Sequence, residues 1–143
     1  MSDAEPPKPA PGRFWSYELP GGWQVLAGRT DADNDLLSTV LVQDDDWWFH
    51  ARDLPGSHVV LRAHSGPDPE AEPDKKVLEA AAAIAAYHSK GRDGGTMGVS
   101  VVRGGDVRKP KGAKPGTVHI RNEQALRVKP GIPHPGKTVK LPE

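Results

Sequence analysis

The chain has 143 residues, 36% of them hydrophobic and 27% charged, which suits one soluble domain with a buried core and is too short for two. It contains no cysteine, which excludes disulfides, thiol catalysis and thiolate zinc sites. No apolar run approaches the roughly 20 residues of a membrane-spanning helix, and the first residues lack the basic-then-apolar layout of a secretion signal. We therefore expect a cytoplasmic protein without membrane association.

The formal net charge of zero conceals an uneven distribution along the chain. Residues 1–89 contain 7 Lys and Arg against 15 Asp and Glu, whereas residues 90–143 contain 12 against 4. This asymmetry indicates either a basic surface that meets a polyanion or opposite charges that pair within the fold. The clustering of the basic residues in loop segments favours the polyanion.

The first part of the chain predicts a leader, a hairpin and a short helix. Residues 1–12 are Pro-rich without apolar periodicity, so we expect a disordered leader. Residues 14–19 and 23–28 read as strands joined by a Pro-Gly-Gly turn. Several helix-capping residue types then precede an apolar pair, which predicts a short helix near 31–38.

A second hairpin, residues 45–62, concentrates aromatic, histidine and arginine side chains. A period of two divides its first strand into two faces, with Trp47, Phe49 and Ala51 on one and Trp48, His50 and Arg52 on the other. Pro55-Gly56 turns the chain, and residues 58–62 read as the returning strand. We expect Trp47 to point into the core and Trp48 to offer a stacking surface.

The second half of the chain predicts one long helix over residues 75–89, with Asp74 as its N-cap. Residues 97–103 form a nearly continuous apolar run, which is typical of a central strand. Residues 117–121 and 125–128 alternate strictly around Asn122-Glu123 and predict a further hairpin.

These elements together predict an α+β fold. We expect a single domain over residues 13–130, mainly an antiparallel sheet of hairpins with the long and the short helix packed on it. Beyond Pro130 the chain shows Gly, Pro and Lys without pattern, so residues 131–143 are expected to be a flexible basic tail.

A basic loop, residues 107–116, separates the last predicted strands. It carries four cations between prolines and glycines, namely Arg108, Lys109, Lys111 and Lys114. Phosphate oxygens are natural partners for such a loop, because each neutralised phosphate releases counterions and adds affinity. A solvated loop without a ligand is the alternative.

One Ser, two His and one Asp lie within nine residues and could in principle form a catalytic group: His50, Asp53, Ser57 and His58. Adjacent residues of a strand point to opposite faces, and no Gly-x-Ser-x-Gly turn is present, so the spacing argues against a triad. A metal held by His50, His58 and His64 lacks a carboxylate at a ligand spacing. We assign no catalytic residue, metal or cofactor; buried rings that bond turn carbonyls and an Asp53 that caps the turn are the structural alternative.

The motifs in chain order resemble the NFACT-R domain, the C-terminal RNA-binding module of RqcH- and NEMF-type ribosome-associated quality-control factors, some once named fibronectin-binding proteins. The resemblance runs from about Gly21 to Pro130. It is carried by Gly28-Arg29, Asn34-Asp35-Leu36-Leu37, Asp46-x-Trp48-Phe49-His50-x-Arg52-Asp53-x-Pro55-Gly56-Ser57-His58, Leu78-Glu79-Ala80-Ala81, Ala85-Ala86-Tyr87-His88-Ser89-Lys90, Val107-Arg108-Lys109-Pro110 and Gly112-Ala113-Lys114-Pro115-Gly116.

This resemblance implies RNA binding, with tRNA or rRNA as partner and the ribosome or a partner protein nearby. The length leaves no room for the family's N-terminal domain, so we expect a stand-alone form that cannot itself tail stalled chains. Val101-Val102 stands where the family often has Tyr-Thr, Thr30 where Asn is common, and Trp47 where an aliphatic residue is usual.

The RNA-binding hypothesis assigns phosphate contacts to basic side chains and base or sugar contacts to aromatic ones. The assigned residues are Arg29, Trp48, His50, Arg52, His58, Arg62, Lys90, Arg92, Arg108, Lys109, Lys111 and Lys114, with Asn34, Asp53, Pro55, Gly56 and Ser57 as structural support. A second hypothesis is a role in RNA-base modification with His50, Asp53 and His58 as acid and base groups. A third is a protein-interaction adaptor on the ribosome, which would need an exposed apolar patch.

Overall fold

A computed structural model describes residues 13–63 and 72–140; the predicted leader lies outside these residues. It contains nine strands, two α-helices, a π-helical turn and a 3-10 turn. In chain order these are β1 Arg13–Leu19, β2 Trp23–Gly28, α1 Asp31–Leu36, the π turn Leu37–Leu41, β3 Trp47–Ala51, β4 Val59–Ala63, α2 Lys75–Tyr87, β5 Met97–Arg103, the 3-10 turn Gly104–Asp106, β6 Val107–Arg108, β7 His119–Ile120, β8 Gln124–Val128 and β9 Lys137–Lys140.

Seven of the strands form one antiparallel sheet in the order β8-β5-β3-β4-β2-β1-β9, and β6 and β7 form a separate ribbon. The predicted hairpins appear as β1 with β2 and β3 with β4, and the two hairpins join through β2 and β4. Strand β5 lies between β3 and β8, an interior position that its apolar run predicted. The α+β class and the antiparallel sheet are therefore confirmed.

Both faces of the sheet are covered, because the strands alternate apolar residues on each side. Helix α2 packs on one face, where Phe49 and Val59 meet Ile84 in the larger core. The opposite face buries Trp48 and Val60 beneath the π turn and the ribbon. We call these the helix side and the ribbon side of the sheet.

Helix α2 is shorter than the predicted long helix over residues 75–89. It starts as expected, with the Asp74 carboxylate accepting a hydrogen bond from the Val77 N–H (2.9 Å), but it has 13 residues and ends at Tyr87. The end is set by tertiary contacts, because Ser89 pairs with Gly56 of the β3–β4 connection. Both α-helices are short, and within residues 13–63 and 72–140 no helix could span a membrane.

The predicted hairpin of residues 117–128 is wrong. Strand β7 pairs with β6 in the ribbon, with Ile120 opposite Val107, whereas β8 pairs with β5, with Val128 opposite Met97. Asn122 adopts a left-handed φ of 56° between them and redirects the chain. Alternation predicted the two strands but could not select their partners.

The segment expected to be a flexible tail contributes a strand to the sheet. Strand β9 pairs with β1, with Val139 opposite Phe14. Before it the chain crosses the helix side, where the Gly131 N–H donates to the Ala83 carbonyl (3.1 Å) and His134 contacts the Glu18 backbone (3.2 Å). The pattern Lys-Thr-Val-Lys carries too little alternation to predict this strand, which depends on the free edge of β1.

Candidate nucleic-acid interface

An open cleft of about 360 Å³ lies on the ribbon side of the sheet, between the β3–β4 hairpin and the chain that enters β7. Trp48 forms its floor. Its other walls include His50, His58, Ser100, Thr117, Val118 and Ile120. The fold therefore brings the end of the basic loop against the central hairpin, so that the two segments form one surface.

A hydrogen-bonded group beneath the cleft holds His58 in place. Ser38, from the π turn, lies 2.8 Å from Trp48 Nε1 and 2.6 Å from His58 Nδ1 through its Oγ. An indole N–H can only donate, so the Ser38 oxygen accepts it and the hydroxyl proton is available for Nδ1. In that arrangement neutral His58 carries its own proton on Nε2.

The two histidine rings of the cleft converge. Their centroids are 5.4 Å apart with the rings perpendicular, and Trp48 stacks on His50 at 6.0 Å. Burial, and then the charge of His50, lower the pKa of His58 to about 4, and burial also lowers the pKa of His50. Both imidazoles are therefore neutral at pH 7. The His50 ring also has hydrogen bonds to the backbone of Ala51 and Gly56, and the His58 ring to that of Gly116.

The backbone of His58 is fixed by neighbouring loops. Its N–H donates to Asn34 Oδ1 (3.0 Å), and its carbonyl accepts from the Gly28 N–H (3.0 Å). Ser57 donates its hydroxyl to the Gly28 carbonyl (2.6 Å). Helix α1 presents Asn34 because the Thr30 hydroxyl caps it through the Asp33 N–H (3.0 Å).

The basic loop is attached to the same helix through Asp35. The carboxylate pairs with Lys109 Nζ and accepts the Gly116 N–H (3.1 Å). Burial acts to raise the pKa of Asp35, but the bonds from Lys109 and Gly116 outweigh it and leave that pKa below its usual value. Asp35 thereby sets the position of residues 116–118 at the cleft.

The family model for the NFACT protein RNA binding domain matches residues 13–122. The chain belongs to this family. Two curated relatives carry the name Rqc2 homolog RqcH. The Bacillus subtilis (strain 168) protein is 38% identical over 115 residues, and the Streptococcus suis (strain 05ZYH33) protein is 38% identical over 106.

These alignments cover 80% and 74% of this NFACT-R chain but only 19% and 18% of the relatives, so the chain spans about a fifth of their length. A solved structure of the C-terminal part of the fibronectin/fibrinogen-binding protein from Streptococcus suis is similar as well. It is 32% identical with a TM-score of 0.73, and the match covers 90% of this chain and 49% of that one.

The cations that the sequence assigns to RNA divide into two groups in the NFACT-R structure. Five make no side-chain hydrogen bond or ion pair with any described residue: Arg29, Lys90, Arg108, Lys111 and Lys114. The others already have partners inside the protein. Arg92 lies over the Tyr87 ring at 4.0 Å and remains exposed, whereas Lys109 is committed to Asp35.

Arg62, which the sequence assigns to RNA, is paired inside the protein. Its guanidinium donates to the Asp46 carboxylate (2.7 Å) and to the Leu41 carbonyl (2.6 Å), and its side chain is 20% exposed. The pair lies at the end of the sheet where β3 begins and β4 ends, away from the turn between these strands. We therefore expect Arg62 to stabilise the fold rather than to meet phosphate.

Arg62→Gln is expected to destabilise the protein by about 2 kcal/mol, because Asp46 keeps a buried carboxylate without its cation. RNA affinity of the folded variant should stay within about twofold of the parent. Urea denaturation and RNA titration measure both quantities. Arg108→Gln, at an exposed and unpaired cation, should show the reverse pattern, and the role assigned to Arg62 fails if the two variants behave alike.

Arg52 has an ion-pair partner in the structure, and Trp48 is buried. Arg52 is exposed, but its Nε lies 3.2 Å from Glu123, which also accepts the Ser100 hydroxyl. Trp48 is only 3% exposed, so it supports the cleft from below and has no open face on which a base could stack.

The predicted support residues shape the β3–β4 connection. Asp53 is exposed with a left-handed φ of 60°, the Pro55 carbonyl accepts the Lys90 N–H (3.0 Å), and Gly56 lies close to Ser89. Asp53 does not line the cleft, so the acid and base group proposed with His50 and His58 is not assembled. Within the described residues no cluster of three or more His, Asp or Glu could hold a metal, and His64 lies outside them.

Several site residues escaped the sequence reasoning. Ser38 and Ser100 lie in apolar stretches where a single serine carries no signal. On the ribbon, Arg108 faces His119 across the strands, and both line an open depression of about 650 Å³ together with Arg121. The alternation of residues 117–121 could have indicated that His119 and Arg121 share one face.

Proposed function

We propose that this NFACT-R domain binds structured RNA, tRNA or rRNA, in ribosome-associated quality control. Two findings support the proposal: the family is described as RNA binding, and the curated relatives are Rqc2 homologues. The activity of those longer proteins is not carried over as a whole, because the chain matches only 19% of the Bacillus subtilis relative.

The observation that carries the proposal is a loop with unpaired cations fixed beside a cleft. Gly116 holds the loop to Asp35, while Lys111 and Lys114 stay exposed without a described partner. Because their charge is not neutralised inside the protein, phosphate oxygens can replace their counterions. The anchored backbone also reduces the entropy lost when RNA binds.

Antiparallel connectivity brings further cations toward the same end of the sheet. Arg29 directly follows β2, and the Lys90 backbone bonds to Pro55 in the β3–β4 connection. The acidic segment 44–46 lies before β3, at the opposite end. Arg29 and Lys90 therefore lie at the end of the sheet away from this acidic segment, where their charge can meet a polyanion.

Replacing Arg108, Lys111 and Lys114 together with Ala should weaken tRNA binding and reduce the slope of log K against log salt by about 2 to 3 units. Lys109 is left intact because it pairs with Asp35 and its loss would displace the loop. Fluorescence titrations of tRNA at several salt concentrations measure the slope.

A matched control removes the same number of charges elsewhere, at exposed positions of α2 and β8: Lys75→Ala, Lys76→Ala and Arg127→Ala. This variant should keep the slope of the parent within error. Equal slopes for the loop variant, the control and the parent would remove the loop from the RNA interface.

The proposal includes a cytoplasmic location, with the ribosome or a partner protein nearby. Crosslinking in cells, followed by sequencing of the attached RNA, would identify the ligand. Enrichment of tRNA or rRNA is the expected result. Recovery of no RNA above background would contradict the proposed function.

A further inference from the structure

We propose that the cleft between the β3–β4 hairpin and residues 116–120 receives one unpaired RNA base, while the phosphates of the same strand stay on its rim. The inference rests on the proposed RNA-binding function and specifies what this part of the surface recognises. A domain with such a site recognises splayed-out nucleotides and not only duplex RNA.

The shape of the cleft suits a single flat ring. Its volume of about 360 Å³ lies at the lower end of the roughly 300 to 1,000 Å³ of small-ligand sites. Val118 and Ile120 form an apolar wall, and His50 offers a flat ring that Trp48 stiffens from below. A base can lie between such surfaces, whereas a base-paired helix is too wide to enter.

The interior of the cleft is uncharged, which favours a base over a phosphate. Its two imidazoles are neutral at pH 7, and no Lys or Arg of the part of the chain that the structure describes lines it. The nearest cations along the chain stand outside, Arg52 after β3 and Lys114 before Gly116. A buried phosphate would lose hydration without gaining a counter-charge, whereas a neutral base loses little.

The polar groups of the cleft can form hydrogen bonds with a base edge. The Thr117 hydroxyl is exposed and makes no side-chain bond within the described residues. His50 contributes the face of its ring, because hydrogen bonds to the Ala51 and Gly56 backbone already engage that ring, and the Ser100 hydroxyl is occupied by Glu123. The cleft therefore combines one flat ring with few directed polar groups, an arrangement that recognises unstacked bases.

The first test compares a hairpin RNA that has an unpaired loop with the same hairpin made abasic at each loop position in turn. The full chain should bind one of these abasic RNAs about tenfold more weakly than the parent hairpin, since base stacking on a ring contributes that much. Fluorescence anisotropy measures the affinities.

Thr117→Trp should fill the cleft and abolish this difference while leaving affinity for the abasic RNA unchanged. Val40→Trp adds the same bulk at a residue that is 66% exposed and does not line the cleft, so it should keep the tenfold difference. Lys111→Ala should lower the affinity for the parent hairpin and for the abasic RNA by the same factor, because it removes only a phosphate contact.

A measurement on the unmodified protein makes the test independent of any variant's folding. Titration with the loop RNA should shift the imidazole NMR signals of His50, whereas His88, on the helix side, serves as an internal control and should not move. Equal binding of base-containing and abasic RNAs, with His50 unmoved, overturns the cleft assignment alone. Absence of binding to every RNA overturns the proposed function and this inference with it.

Discussion

Gly28→Ala is expected to destabilise the fold by about 4 kcal/mol, the sum of a steric clash and lost buried hydrogen bonds. A Cβ at this position would lie 2.0 Å from Asn34 Oδ1 and 3.0 Å from the Asn34 backbone nitrogen. If Asn34 moves aside, the His58 N–H loses its acceptor in a buried environment. The cleft would then lose the residue that fixes one of its walls.

Urea denaturation of the parent and the variant measures this loss. Gly131→Ala is the matched control, because a Cβ there meets no atom within 4 Å, and its stability should change by less than about 0.5 kcal/mol. A loss below about 1 kcal/mol for Gly28→Ala would show that Asn34 can leave its position without cost. It would also remove the steric reason for the Gly28-Arg29 motif.

The parts of the fold that were predicted correctly depend on local signals. The β1–β2 hairpin follows from two alternating strands around Pro20-Gly21-Gly22, and Gly21 and Gly22 both adopt positive φ in the turn. The start of α2 follows from Asp74, whose cap bond is local as well. Such features were predictable because the residues that determine them are neighbours in sequence.

The errors concern choices made between distant segments. Helix α2 stops at Tyr87 because Ser89 pairs with Gly56, more than thirty residues earlier. Strand β7 joins β6 rather than β8 because Val107 and Ile120 cover the ribbon side of the sheet. Periodicity indicates which face of a strand is apolar, but it does not indicate the partner that covers it.

The candidate site shows the same limit. The sequence indicated that His50 and His58 belong together, since a hairpin brings them into proximity, and the family motif marked both. It could not separate Arg62, which pairs with Asp46, from Lys114, which has no described partner. Whether a cation is free for RNA depends on the carboxylates that the fold places beside it.

The stability of this protein is expected to fall as the pH decreases from about 6.5 toward 4, because three histidines are neutral in the folded state. Burial lowers the pKa of His58 to about 4 and of His88 to about 4 from the usual 6.5, and lowers the pKa of His50 as well. The Tyr17 hydroxyl and His88 Nε2 share one hydrogen bond (2.6 Å), and within residues 13–63 and 72–140 neither the His58 ring nor the His88 ring is hydrogen-bonded to a carboxylate.

The loss of stability in acid follows from the number of protons that the folded and unfolded states bind. Below pH 6.5 the unfolded chain takes up a proton at these positions, whereas in the folded protein His58 and His88 do so only near pH 4, so acid favours unfolding. At about 1.4 kcal/mol per pKa unit, His58 alone contributes a loss of about 2 kcal/mol between pH 7 and pH 5. Urea denaturation at a series of pH values measures it.

His58→Asn keeps an oxygen that can accept the Ser38 proton, but an amide does not titrate in this range. The loss of stability between pH 7 and pH 5 should therefore be smaller by about 2 kcal/mol in this variant than in the parent. His119→Gln, at an exposed position of the ribbon, should retain the parent's pH dependence. If His58→Asn retains it as well, His58 takes up its proton in the folded state near its usual pKa. The cleft would then carry positive charge in mild acid, and a phosphate would become its better ligand.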